Sequence, residues 1–112
     1  MKTTTAVNVL AALAQESRLS VFRALVQAAP EGLPAGRIAA KVDLVPATLS
    51  FHLKELANAG LVKSRQDGRF VIYTASLPAI NSLVGYLMEN CCGGKECAPE
   101  VGAPDARLEK TA

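Results

Sequence analysis

Apolar residues recur along this chain first at helical spacing and then, for a short stretch, at strand spacing. Val7, Leu10, Leu13 and Ala14 fall three or four apart, and after Glu16-Ser17 so do Leu19, Phe22, Leu25 and Val26. Both segments are predicted helices, the second ended by Pro30-Glu31-Gly32, where proline cannot continue the ladder. Pro34 suits the first position of a short third helix that buries Ile38 and Val42 and turns Arg37 and Lys41 outward. Pro46 opens a fourth helix in the same way, running to Ala59 and stopping at Gly60. At ~100° per residue, Leu49, Leu53 and Leu56 form its buried stripe. Ala47, Phe51, Lys54 and Asn58 gather opposite, flanked by Thr48, Ser50 and Glu55, with His52 at the edge of the stripe.

The period then changes to two. Leu61 to Arg65 and Phe70 to Thr74 are rich in strand formers, and Gln66-Asp67-Gly68-Arg69 between them holds the Asp-Gly pair of a tight hairpin turn. A fifth helix follows Pro78, with Ile80, Leu83, Val84, Leu87 and Met88 as its apolar face, broken by Gly93-Gly94. The predicted class is mainly α with a β-hairpin: a winged helix-turn-helix, α-α-α-α-β-β-α. Residues 1–97 form one domain with a C-terminal cysteine site, and 98–112 form a flexible tail.

In a helix-turn-helix the second helix enters the major groove with its first turns against base edges. Small or hydroxyl residues such as Ala47, Thr48 and Ser50 suit close approach and hydrogen bonding there, and Phe51 suits contact with a thymine methyl. Arg37, Lys41 and Lys54 suit phosphates, and the wing tip at 65–69, with Arg65 and Arg69, suits backbone or minor groove. His52 completes the candidate DNA-contacting set, although a packed histidine is its blander reading. A helical adaptor carrying a hairpin is the competing architecture.

Charge agrees weakly with a polyanion partner. Residues 1–88 hold nine Lys/Arg against five Asp/Glu, and residues 89–112 hold three against five. Aromatics at 4% with no tryptophan argue against a carbohydrate cleft or an aromatic-rich sandwich.

The three cysteines are confined to Cys91-Cys92-Gly93-Gly94-Lys95-Glu96-Cys97. A structural zinc site wants four ligands in spaced pairs, which these do not supply. Three thiolates instead suit a pyramidal centre such as trivalent arsenic or antimony, with Gly93-Gly94 giving the chain freedom to fold Cys97 back. Two other readings of these cysteines stay open, a thiol redox sensor and a set of small buried hydrophobes. A thiol enzyme lacks its usual marks, since no C-x-x-C and no local histidine or carboxylate partner accompanies the cysteines, and no catalytic cofactor is expected. An odd cysteine count and no run of ~18 apolar residues point to the cytoplasm, with no membrane partner.

Residues 6–90 resemble the ArsR/SmtB-type metal-sensing winged-helix repressors. The likeness rests on Leu13-Ala14-Gln15-Glu16-Ser17-Arg18-Leu19, on Pro46-Ala47-Thr48-Leu49-Ser50-Phe51-His52-Leu53-Lys54-Glu55-Leu56, on Gly60-Leu61-Val62 and on the wing at 65–73. The resemblance implies a homodimer packed through its first and fifth helices. Such a dimer binds double-stranded operator DNA, an imperfect palindrome, and leaves it when an inducer binds. The family's best-known arsenic site precedes the recognition helix, where this chain reads Lys41-Val42-Asp43-Leu44 and has no sulfur. Asn81, Ser82 and Glu89 likewise replace the zinc ligands of the last helix. The cysteines after the fifth helix are similar to those of a separate arsenic-responsive branch. The expected function is an arsenite- or antimonite-responsive repressor, with As(III) or Sb(III) as inducer on Cys91, Cys92 and Cys97. The alternative is a redox, cadmium or lead sensor of the same fold.

Overall fold

The computed structural model describes residues 1–94 of the 112. Its elements are α1 (Thr3–Leu13), α2 (Glu16–Gln27), β1 (Leu33–Pro34), α3 (Ala35–Val42), α4 (Pro46–Asn58), β2 (Val62–Asp67), β3 (Phe70–Ala75) and α5 (Leu77–Met88), followed by one 3-10 turn, Cys91–Gly94. The expected tail at 98–112, and Cys97 with it, lies outside the described residues. The fold is a winged helix-turn-helix. Leu25, Ile38, Leu49, Leu56, Leu61, Val9 and Val21 are fully buried and form its centre, where each large side chain contributes about 1.5–3 kcal/mol of transfer free energy.

Local chemistry starts and stops the helices. The Gln15 side chain accepts a hydrogen bond from the Arg18 backbone N–H at 2.8 Å, capping α2, and Glu16 places an acid in the first turn against the helix dipole. Pro46 sits at the start of α4, where its missing N–H is no loss. Asp43 ends α3 in the left-handed region (φ 56°), and the Leu44 N–H reaches back to the Ala39 carbonyl at 3.1 Å. This is the bend between the two helices of the helix-turn-helix.

The sheet differs from expectation in two ways. It has three strands in the order β1-β3-β2, because Leu33 and Pro34 pair antiparallel with Tyr73 and Ile72. Pro34 therefore belongs to an edge strand, where a missing N–H is tolerated, and precedes rather than opens α3. The hairpin turn also falls one residue later than the Asp-Gly pair suggested. Asp67 pairs with Phe70, Gly68 and Arg69 form the loop, and Gly68 takes the positive φ of 61°. The Gln66 side chain donates to the Gly68 carbonyl at 3.0 Å and secures that register.

Helix faces also shift. In α1 the buried residues are Ala6, Val9 and Ala12, whereas Val7 and Leu10 point outward. In α2, Val21 and Ala24 join Phe22 and Leu25 inside, and Leu19 and Val26 are exposed. Small side chains let these helices pack closely, which displaces the larger ones to the rim. Leu83 of α5 is buried, but Leu77, Val84, Leu87 and Met88 are exposed. A hydrogen bond of 2.6 Å between the Thr3 and Tyr86 hydroxyls ties α1 to α5. Helix α5 stops at Met88, before the glycines that were expected to break it: Glu89 turns out of helical geometry (ψ 129°) and Asn90 follows with a left-handed φ of 56°.

Candidate nucleic-acid interface and cysteine turn

The α4 stripe of Leu49, Leu53 and Leu56 is buried as its spacing predicts, and Ala47, Thr48, Ser50, Phe51 and Lys54 are exposed. Arg37 and Lys41, one turn apart on α3, are exposed too. Among the described residues, the side chains of Arg37, Lys41, Lys54 and Arg69 make no ion pair or hydrogen bond within the chain. Their charge is available to an external anion.

Two of the predicted contacts stand differently. Arg65 is not at the wing tip: it pairs with Ile72 within the ladder and donates through its guanidinium to the Glu31 carbonyl at 2.9 Å. The loop itself is Gly68-Arg69, so Arg69 is the cation at the tip. His52 is 6% exposed and packs inside the fold, so its ring faces the core rather than a base. Its Nδ1 is buried with no hydrogen-bond partner among the described residues, and the Arg18 Nε is in the same condition. Burial, and then the Arg18 guanidinium, hold the imidazole below its usual pKa and so favour the neutral ring. The ring meets Phe51 edge-on at 5.6 Å.

Two exposed apolar residues were missed by sequence reasoning. Val45, immediately before α4, is 64% exposed, and Phe70, the first residue past the wing loop, is 61% exposed. Phe70 and Val71 line an open groove of about 530 Å³ with Pro34, Gly36 and Arg37. The only sequence signal for it was an aromatic residue directly after the turn.

Beyond α5 the backbone unwinds. Asn90, Cys92, Gly93 and Gly94 all have positive φ, and Gly94 N–H bonds to the Asn90 carbonyl at 3.3 Å. This turn overcomes the divergence of neighbouring residues on a regular helix and brings Cys91 Sγ within 3.9 Å of Cys92 Sγ. Cys91 is half-buried and Cys92 is exposed and disulfide-bonded. The two vicinal sulfurs thus approach each other, and Cys92 must be reduced before its thiolate can ligate. Cys97, the third expected ligand, lies outside the described residues.

A helix-turn-helix domain family matches residues 13–65, spanning α2 to the first half of the wing. The chain is 33% identical over 84 residues to the nodulation protein NolR of Rhizobium meliloti, covering 75% of this chain and 66% of that one. It spans 61% and 66% of the lengths of the two curated relatives it matches. Solved structures agree. NolR from Sinorhizobium fredii superimposes with a TM-score of 0.63 at 32% identity, covering 79% of this chain and 85% of the other. Two further likenesses, each at 24% identity, concern the fold. They are an ArsR-like transcriptional regulator from Rhodococcus sp. RHA1 (TM-score 0.70, 81% and 82% covered) and the homodimeric winged helix-turn-helix DNA-binding domain of Mb0332 from Mycobacterium bovis (0.62, 86% and 89%). YceK of Bacillus subtilis, 39% identical over 62 residues, is an HTH-type transcriptional regulator, as is the ArsR-like Rhodococcus protein. Element order, the bend at Asp43, the three-stranded wing and the shared sequence lead to one assignment: the chain belongs to the ArsR/SmtB-type family of winged-helix transcriptional regulators.

Proposed function

We propose that this chain is a cytoplasmic transcriptional repressor that binds operator DNA as a homodimer and is released when As(III) or Sb(III) binds Cys91, Cys92 and Cys97. The observation that carries the DNA reading is the exposed face of α4. Its hydroxyl, methyl and aromatic groups stand clear of the core, with cations on α3, on α4 and at the wing tip that have no partner among the described residues. Thr48 and Ser50 read base edges, Ala47 and Phe51 touch thymine methyls, and Arg37, Lys41, Lys54 and Arg69 hold phosphates. Recognition helices that read two half-sites about 34 Å apart require two chains. Val7 and Leu10 of α1 and Val84, Leu87 and Met88 of α5 are exposed apolar residues that a second copy would cover. Homodimeric Mb0332 supports the same assembly.

The inducer reading rests on the left-handed turn that sets two sulfurs 3.9 Å apart at the end of α5. The ion completes its set with Cys97, and the folded loop reshapes the end of the proposed dimer helix. One subunit tilts against the other, and the recognition helices no longer match successive major grooves. A second reading uses the same cysteines: two sulfurs 3.9 Å apart also suit a thiol redox repressor. Titration of reduced, DNA-bound protein with arsenite, antimonite, cadmium, lead and peroxide tests both. Release by micromolar arsenite or antimonite supports the first reading, and release by peroxide alone supports the second.

A further inference from the structure

Helix α2 presents an unused polar face. Ser20, Arg23 and Gln27 recur three and four apart, with Ala24 beside them, and together with Lys41 and Val42 of α3 they line an open cleft of about 350 Å³. Every polar side chain in this lining can donate a hydrogen bond: a guanidinium, an ammonium, a hydroxyl and an amide. No carboxylate lines the cleft, and neither Arg23 nor Lys41 has an ion pair or side-chain hydrogen bond among the described residues. Two cations are therefore held near one opening with no counter-ion among the described residues. An oxyanion satisfies that arrangement, and a guanidinium beside an ammonium suits phosphate oxygens in particular.

Size and position favour one source of phosphate. Water occupies ~30 Å³ per molecule, so the cleft holds roughly a dozen waters. That is too open to strip and grip a small free ion, and suits a phosphodiester that arrives with its sugar and hydration. Lys41 lies in the last turn of α3, two residues before the Asp43 bend that leads into α4. Phosphates flank the groove that α4 enters. We infer that the Arg23–Lys41 cleft is a DNA phosphate clamp, which makes α2 a third helix of the nucleic-acid interface. The inference rests on the DNA-binding reading above and extends it to residues outside the helix-turn-helix and wing.

The test compares the salt dependence of binding for the wild-type full chain, Arg23→Gln, Arg23→Lys and Lys41→Gln. The probes are a duplex of about three helical turns from the chain's own promoter and a scrambled duplex of equal length. Loss of one phosphate contact lowers the log–log salt slope by ~0.9, so the affinity deficit of Arg23→Gln shrinks about 3.5-fold between 50 and 200 mM salt. The deficit is expected to be equal on both duplexes, because a phosphate carries no sequence information. Arg23→Lys is expected to restore most of the slope, and an unchanged thermal transition shows that Arg23→Gln is folded. If Arg23→Gln fails to fold, Gln27→Glu tests the clamp instead, because a carboxylate in the cleft neutralises Arg23 and is expected to lower the slope by about the same amount. An unchanged slope in folded Arg23→Gln overturns the clamp, as does a deficit confined to the promoter duplex. Inorganic phosphate forms the second arm: saturable millimolar binding lost in Arg23→Gln, with the DNA slope unaltered, identifies a free-anion site and overturns the DNA assignment. If the wild type binds neither duplex, the DNA-binding reading itself fails and takes the clamp with it. If wild type binds but Arg23→Gln matches it, only the clamp fails.

Discussion

Replacing His52 by leucine separates a buried histidine from a DNA-contacting one. His52 is 6% exposed, and its Nδ1 has no hydrogen-bond partner among the described residues. A buried polar atom left unsatisfied costs about 1–3 kcal/mol. Leucine fills a similar volume and removes that cost, so His52→Leu is expected to leave stability unchanged or raise it by about 1–2 kcal/mol. His52→Ala removes the ring and leaves a cavity, and is expected to lose about 1–3 kcal/mol. The pH dependence gives an independent check. His52 is the chain's single histidine, and its folded pKa lies below the ordinary 6.5 through burial and the Arg18 charge. The unfolded chain therefore binds more protons than the folded one over the interval below 6.5. Stability is full above the unfolded value, falls as pH drops through it, and levels off below the folded pKa. Urea midpoints at about pH 7.5 and about pH 5.5 should differ for wild type and differ much less for His52→Leu. Binding to promoter DNA at the higher pH should be the same for both. A His52→Leu variant of wild-type stability that lost affinity at one particular base would refute the core assignment.

Three other substitutions probe other parts of the account. Gly32 has a φ of +83°, and a Cβ there would collide with the Tyr73 carbonyl and the Thr74 methyl, so Gly32→Ala should cost ~2 kcal/mol or more in a urea unfolding curve. Leu87→Glu places a charge on the exposed apolar side of α5 (58% exposed) and should shift the chain toward monomer in sedimentation velocity while leaving the monomer fold intact. Thr48→Ala or Ser50→Ala should cost ~1–3 kcal/mol at particular bases in a competition assay, whereas Arg69→Ala should weaken all sequences alike.

The order of elements was legible because each has a local cause. Pro46 and the Leu49, Leu53 and Leu56 stripe define α4, and Asp67-Gly68 marks the hairpin within one residue. What was not legible depends on tertiary contact. Strand β1 is two residues that exist only because β3 offers them partners, and no local pattern announces them. In α1 every position from Ala6 to Leu13 except Asn8 is apolar, so periodicity could not choose between Ala6, Val9 and Ala12 and the neighbouring stripe of Val7 and Leu10. The candidate site divides the same way. Lys54 and Arg69 could be placed by face and turn, whereas Arg65 was misplaced because its bond to Glu31 joins residues 34 apart in sequence. Helix α5 ended ahead of the glycines because Glu89 leaves helical geometry and Asn90 follows in the left-handed region, which asparagine tolerates better than most residues.

The most direct test of induction is fluorescence anisotropy of labelled promoter DNA bound to reduced wild-type protein and to Cys91→Ser, Cys92→Ser and Cys97→Ser, each titrated with arsenite and, in parallel, peroxide. The account predicts that arsenite weakens wild-type binding roughly 5–150-fold, the span of a 1–3 kcal/mol coupling. It also predicts that each serine variant binds DNA normally and loses most of that response. Release of all three variants by arsenite, with peroxide releasing only the wild type, would contradict it and assign the cysteines to redox sensing.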